Sequence, residues 1–278
     1  MFERLERGWD MAIDSCRVLQ KDKELLLFPL LSGLSSLLVL ASFVWPLWAT
    51  GYAQRVSEQP EPWREPVSWA ILFAYYFVNY FLIVFFNSAL VACALIRFRG
   101  GDPTVADGFR AACSRLPQIA AWALVSATVG FALKAAERRS KRGGQIVAAI
   151  LGVVWSVATF FVVPVLVIEN LGPLAALKRS TKIIQDQWGE SFVADLGIGL
   201  VSFLAAIPGF ALGWLGTMAL SRGQYPLGAA LVGMAVIELI VVSLVSSTLE
   251  IIARTGLYME AVDDKVIRKF ERQMGVEG

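Results

Sequence analysis

Apolar residues fall along the chain in six long runs, and charged residues collect between them. The runs cover approximately 25–48, 69–96, 119–133, 146–168, 192–220 and 227–253, each bounded by charge clusters or by Gly and Pro. A hydrocarbon core about 30 Å thick takes roughly 20 apolar residues per helix, and every run but the third reaches that length. The third crosses only if 116–136 is helical throughout and Lys134 snorkels to the interface.

Ahead of each odd-numbered run the period changes to one apolar stripe per helix. Phe2, Leu5, Trp9, Ile13, Cys16 and Leu19 recur at steps of three or four with acidic and basic residues between them, which predicts an amphipathic helix on the membrane surface. Val105, Phe109, Ala112 and Leu116 form a second stripe, and Thr104 and Asp107 stand at the spacing of a capping box. A third opens at Gly172-Pro173 and continues through Leu174, Leu177, Ile184 and Trp188, with Lys178, Arg179 and Lys182 elsewhere on the wheel. The pattern predicts an all-α integral membrane protein, a single membrane domain over 1–278. Its six transmembrane helices form three hairpins, each preceded by an amphipathic interfacial helix: units 1–96, 97–168 and 169–253, with a charged tail at 254–278. Gly8-Trp9 and Gly108-Phe109, and Ala12, Ala112 and Ala176, recur in corresponding places, a weak internal repeat.

Composition agrees with lipid as the solvent. Hydrophobic residues make up 56% and charged residues 17% of the chain, where soluble domains run at about 45–50% and about 25%. A net charge of +2 leaves no nucleic-acid footprint. With no His and three isolated cysteines, zinc ligation and Ser-His catalysis have no raw material, and no cofactor is expected. The segment before the first run is charged and lacks a small-residue cleavage site, so the first helix is expected to be retained. Seventeen of the 25 Lys and Arg lie on one side if the N-terminus is cytoplasmic, which puts both termini inside; the basic stretch from Lys134 to Arg142 is the one loop that disagrees.

Ionisable residues inside a span are a functional hypothesis by default. Glu238, near the middle of the last run, must face a partner or a cavity or be protonated, either as a proton or cation site or as a neutral acid bonded across helices. Asn79 and Asn87 share a side of the second run and suit hydrogen bonds to a neighbouring helix. Asp195, near Glu190 and the three cations of the third surface helix, completes an ionic latch or a polar site. Glu250 is placed to pair with Arg254 one turn on, and Gly209 and Gly213 form a GxxxG after Pro208. Lys178, Arg179 and Lys182 are the expected contacts to anionic lipid.

Four ordered stretches, KDKELLLFPLLSG at 21–33, ATFFVVPVLVIE at 158–169, GPLAALKRS at 172–180 and WGE at 188–190, resemble DUF6159, a family of bacterial membrane proteins of unknown function. The chain is similar, more loosely, to the membrane domain that accompanies some glycerophosphodiester phosphodiesterases. The resemblance implies a multi-helix fold in a bacterial inner membrane and no activity. The residues themselves lead to the expectation of a non-enzymatic scaffold or accessory subunit. Its partners would be the bilayer with its anionic lipids and a membrane-protein partner or further copies of the chain. The second expectation is a transporter, channel or lipid-handling protein with a polar site around Glu238.

Overall fold

The structure, a computed structural model, describes residues 2–57, 66–139, 143–186 and 188–275, with side chains described at 10–52, 54–55, 66–134, 146–186 and 197–275. In chain order, α1 (Phe2–Lys21) leads through a 3-10 turn at Lys23–Leu26 into α2 (Leu27–Ala49) and the short α3 (Tyr52–Ser57). There follow α4 (Pro66–Phe98), α5 (Val105–Ser114), α6 (Leu116–Arg139), α7 (Gly143–Ala158) and α8 (Val162–Ile168). The chain ends with α9 (Pro173–Asp186), α10 (Trp188–Ser221), α11 (Tyr225–Ala261) and α12 (Asp264–Met274). No strand occurs among the described residues.

Six helical stretches are long and apolar enough to cross a membrane: Lys23–Ala49, Pro66–Phe98, Leu116–Lys134, Ile146–Ile168, Gly197–Ser221 and Tyr225–Ala261. They correspond one for one to the apolar runs. The third gains its length as the pattern required, α6 being helical past Lys134. Large apolar side chains stand exposed along α2, along α7 from Ile146, along α10 from Leu200 and along the first half of α11, Leu37, Val153, Phe203 and Ile237 each at 62–65%. Such surface is stable only against lipid. Trp45, Trp48, Trp214 and Tyr225 are exposed where α2 and α10 end and α11 begins, the headgroup level that amphipathic rings prefer.

The core sits at the opposite end. α4 has 33 residues and α11 has 37, about 50 and 55 Å at 1.5 Å per residue, so each outruns a hydrocarbon layer of about 30 Å. Burial is concentrated in their distal halves: on α4 from Val84 to Ile96, on α11 from Thr248 to Tyr258, with Gly228 and Ala235 alone buried in the first half of α11. Small residues (Ser88, Ala89, Ala92, Cys93, Ala94) make the α4 half narrow enough to be surrounded. α5 lays Gly108 against Ala89, Cys93 and Phe28, α1 brings Met11 to Gly256, and α12 buries Ile267 and Phe270. This gathered end holds α1, α5, α9 and α12 around the extensions of α4 and α11.

The fourth crossing is two helices rather than one. α7 stops at Ala158 and α8 starts at Val162, because Pro164 carries no N–H and its ring crowds the carbonyl four residues back. A freed group is satisfied from a neighbouring helix: the buried Phe161 N–H donates to Ser180 Oγ of α9 at 3.0 Å. Ser180 is fully buried beside Ala176 and Ile183, so α9 is docked against the broken crossing by its apolar stripe.

α10 and α11 run antiparallel and touch most closely at glycines. A Cβ on Gly216 would lie 2.7 Å from Val232 Cγ2, and one on Gly228 would lie 2.9 Å from the Gly216 carbonyl. Of the GxxxG pair, Gly209 faces Leu239 and Glu238 at 3.1–3.2 Å, whereas Gly213 meets Ala235 at an ordinary 3.7 Å. The tightest approach therefore lies one to three turns beyond the motif, where the sequence shows no spacing of note.

Candidate functional site

The polar side chains of the gathered end lie at three junctions. At the first, α4 ends in Arg97, whose guanidinium is paired with Asp22 ahead of the 3-10 turn and with Asp102 after the helix. Arg99 reaches the C-terminal segment, donating to Asp264 at 2.7 Å and Glu271 at 2.8 Å. The Arg268 and Arg99 guanidiniums hold the Asp264 carboxyl below its ordinary pKa. Just beyond, Thr104 and Asp107 form the expected capping box at the start of α5, and the Thr104 hydroxyl holds Asp107 below the usual carboxylate range.

The second junction is the end of α8. Glu169 follows directly, and Asn170 turns the chain with φ +56°, a left-handed conformation that Asn tolerates better than other non-glycine residues. The Glu169 carboxylate is 14% exposed. Its Oε1 accepts from Arg179 Nε at 2.9 Å and from the Tyr258 hydroxyl at 2.8 Å, joining α8, α9 and α11 at one atom. Tyr258 is fully buried, and the hydrogen bond from Arg179 to the carboxylate raises that guanidinium's pKa further.

The third junction is Arg115, between α5 and α6 and only 7% exposed. Its Nε donates to the Val167 carbonyl at 2.9 Å, satisfying a carbonyl that the last turn of α8 leaves open, and Nη2 donates to Gln273 Oε1 of α12 at 2.7 Å. Burial pushes its pKa down, but a guanidinium stays charged at any physiological pH. Glu169, Asn170, Lys265, Lys269 and Gln273 line a recess of about 510 Å³ beside these groups. The recess is polar, and the acid in it is already doubly hydrogen-bonded. No nucleophile with an adjacent base lies there, and no group of three metal-ligating side chains occurs among the described residues.

The residues singled out from the sequence are distributed differently. Glu238 is half-buried on α11, its Oε2 3.2 Å from where a Cβ of Gly209 would stand, and it makes no hydrogen bond or ion pair among the described residues. Asn79 donates to the Tyr75 carbonyl of its own helix at 3.2 Å, and Asn87 is half-buried on α4. None of the five cavities described is lined by Glu238, Asn79 or Asn87. The side chain of Asp195 lies outside the described residues, as do those of the basic stretch after Lys134. Arg179 turns inward to Glu169, while Lys178 and Lys182 are exposed on α9. Glu250 and Arg254 pair at 3.4 Å, and Arg254 also lies 4.5 Å above the Phe160 ring beside the break in the fourth crossing.

Sequence reasoning passed over Arg115 and Tyr258. The one available signal was position: a lone Arg directly before Leu116-Pro117, and a Tyr on the last turns of a helix too long for the bilayer.

No curated protein matches the chain. A family model does match, over residues 66–267 of the 278, from the first turn of α4 into α12; it takes in all three junctions apart from Asp22, Arg268, Lys269, Glu271 and Gln273 and leaves out α1 to α3. By that match the chain belongs to DUF6159, a family of unknown function.

Proposed function

We propose that this protein is a non-enzymatic multi-pass scaffold or accessory subunit of a membrane assembly, built as three hairpins that α1, α5 and α9 introduce as interfacial helices. The observation that carries the reading is how the gathered end uses its charges. Arg97 and Arg99 tie the end of α4 to the segment before α2 and to α12, Arg179 is joined to α11 through Glu169, and Arg115 ties α8 to α12, which makes a rigid block rather than a site with unspent chemistry. Rigid polar blocks beside a lipid belt suit docking more than turnover. In native mass spectrometry of the protein released from its own membrane in mild detergent, a reproducible protein partner is the expected result. A chain that always emerges alone, with a defined small molecule, would defeat this reading.

The second reading, transport or lipid handling, is favoured by Glu238, a carboxyl in a span without a protein partner among the described residues. Under it the same spectra hold a ligand whose retention falls on Glu238→Gln.

The excess of Lys and Arg in the segments of the gathered end supports placing that end and both termini in the cytoplasm of a bacterial cell, with the spans in the inner membrane. Cys113 is exposed at the end of α5 and outside the spans. In a Cys16→Ser background, a membrane-impermeant maleimide is expected to label Cys113 in inverted vesicles and not in intact spheroplasts; the reverse pattern would invert the topology.

A further inference from the structure

We propose that the recess between the end of α8 and α12 is a binding site for a phosphate-bearing anion, held by Lys265, Lys269 and Gln273 in front of the buried Arg115. The site uses charges outside the ion pairs that carry the scaffold reading and does not depend on that reading. Lys265, Lys269 and Gln273 follow one another at steps of four on α12, so they share a face of the helix. That face supplies one side of the lining, and Ile168, Glu169 and Asn170 supply the other.

Charge decides the occupant. Arg115 is 7% exposed, and its guanidinium donates to neutral acceptors, the Val167 carbonyl and Gln273 Oε1. It has no acid partner among the described residues, an arrangement that burial makes costly unless an opposite charge comes near. The link to the recess is Gln273 itself, which lines it and lies 2.7 Å from that guanidinium. Because Arg115 takes the amide oxygen, the Gln273 NH2 is left as a donor without a partner among the described residues. Lys265 and Lys269 are exposed and make no ion pair among the described residues. The acids of this corner are already taken: Glu169 by Arg179, Asp264 by Arg99 and Arg268, and Glu271 by Arg99. Three positive charges thus gather at a recess whose one carboxylate is balanced from outside it. A phosphate monoester brings a charge of about −2 and three strong acceptor oxygens, enough for two ammoniums and an amide at once. Ile168 closes the fourth span and Ala261 the sixth, so the site lies past the apolar stretches, and its phosphate comes either from water or from a lipid headgroup.

The test is thermal unfolding of the full chain, delipidated in an uncharged detergent and followed by tryptophan fluorescence at constant ionic strength. Inorganic phosphate and pyrophosphate are the soluble probes, with chloride as their control. Dioleoyl phosphatidylglycerol against dioleoyl phosphatidylcholine in the micelles forms the lipid arm. A saturable rise in melting temperature is expected, with the soluble probes if the source is water and with phosphatidylglycerol alone if it is a headgroup. Lys265→Gln with Lys269→Gln should raise the half-saturating concentration about 25-fold, some five-fold per exposed charge. Without added anion the same variant should melt with the parent, since both side chains are exposed and unpaired among the described residues. Lys178→Gln with Lys182→Gln makes the same change of charge at exposed positions outside the lining and should leave the half-saturating concentration within about two-fold of the parent's. No saturable rise in either arm, a rise that chloride or phosphatidylcholine matches, or equal weakening by the two double variants overturns the site.

Discussion

Gly108→Leu is expected to yield no stably folded protein, and Gly108→Ala to cost about 2 kcal/mol, while Gly152→Ala is expected to be neutral or to stabilise. All three concern glycines within helices, where alanine by itself gains about 1 kcal/mol in propensity. The difference lies in the surroundings. A Cβ on Gly108 would stand 2.6 Å from Phe28 Cζ, 2.8 Å from Cys93 Sγ and 2.9 Å from the Ala89 carbonyl. The phenyl ring and the thiol are both buried, and the third atom is the backbone of α4, so relief requires α5 to move off its neighbour. Overpacking of that kind costs about 3 kcal/mol, the upper part of the usual range, and the propensity gain offsets only part of it. A Cβ on Gly152 meets nothing within 4 Å, since α7 faces lipid there. Thermal unfolding of the purified variants in one detergent, followed by tryptophan fluorescence, reads the contrast. If Gly108→Ala melts with or above the parent, α5 is not seated on α4 as described.

The sequence made the crossings legible because lipid imposes a length and a composition on each helix separately, with no information needed from its neighbours. The capping box at Thr104 and Asp107 and the Glu250–Arg254 pair were legible for the same reason, each being closed within one turn. What stayed hidden depends on segments far apart in the chain. Pro164 is visible, but the break three residues earlier also needs the Ser180 hydroxyl, nineteen positions on from Phe161, to take the stranded N–H. Glycines are visible too, yet Gly108 and Gly228 differ from Gly33 and Gly152 only in what packs opposite them. Arg97, Arg99 and Arg115 read as loop charges, countable for topology, and their partners at Asp22, Glu271 and Gln273 are set by how the gathered end assembles.

The Glu169 junction is where removal of a single side chain should be felt most among the polar groups. Glu169→Ala strands two donors at once, the buried Tyr258 hydroxyl and the Arg179 guanidinium. Breaking a buried pair from one side costs about 3–5 kcal/mol where the survivor stays dry. Arg179 is 31% exposed and can turn toward water, which trims its share, but Tyr258 is fully buried and cannot. A loss of about 3 kcal/mol is therefore expected for Glu169→Ala. Tyr258→Phe removes one hydrogen bond to a charged acceptor and leaves the Arg179 pair intact, for about 1.5 kcal/mol. Arg179→Ala should rank with Glu169→Ala, because the carboxylate it leaves is only 14% exposed and retains one neutral donor. Combined in a double-mutant cycle, the Glu169 and Arg179 changes should cost clearly less than their sum, with a coupling of at least about 1 kcal/mol, since each alone leaves the other's charge uncompensated. Additive losses would mean that Arg179 spends its time in water, and that α8, α9 and α11 are held together at this corner by Ser180, Ile183 and the apolar stripe of α9 instead.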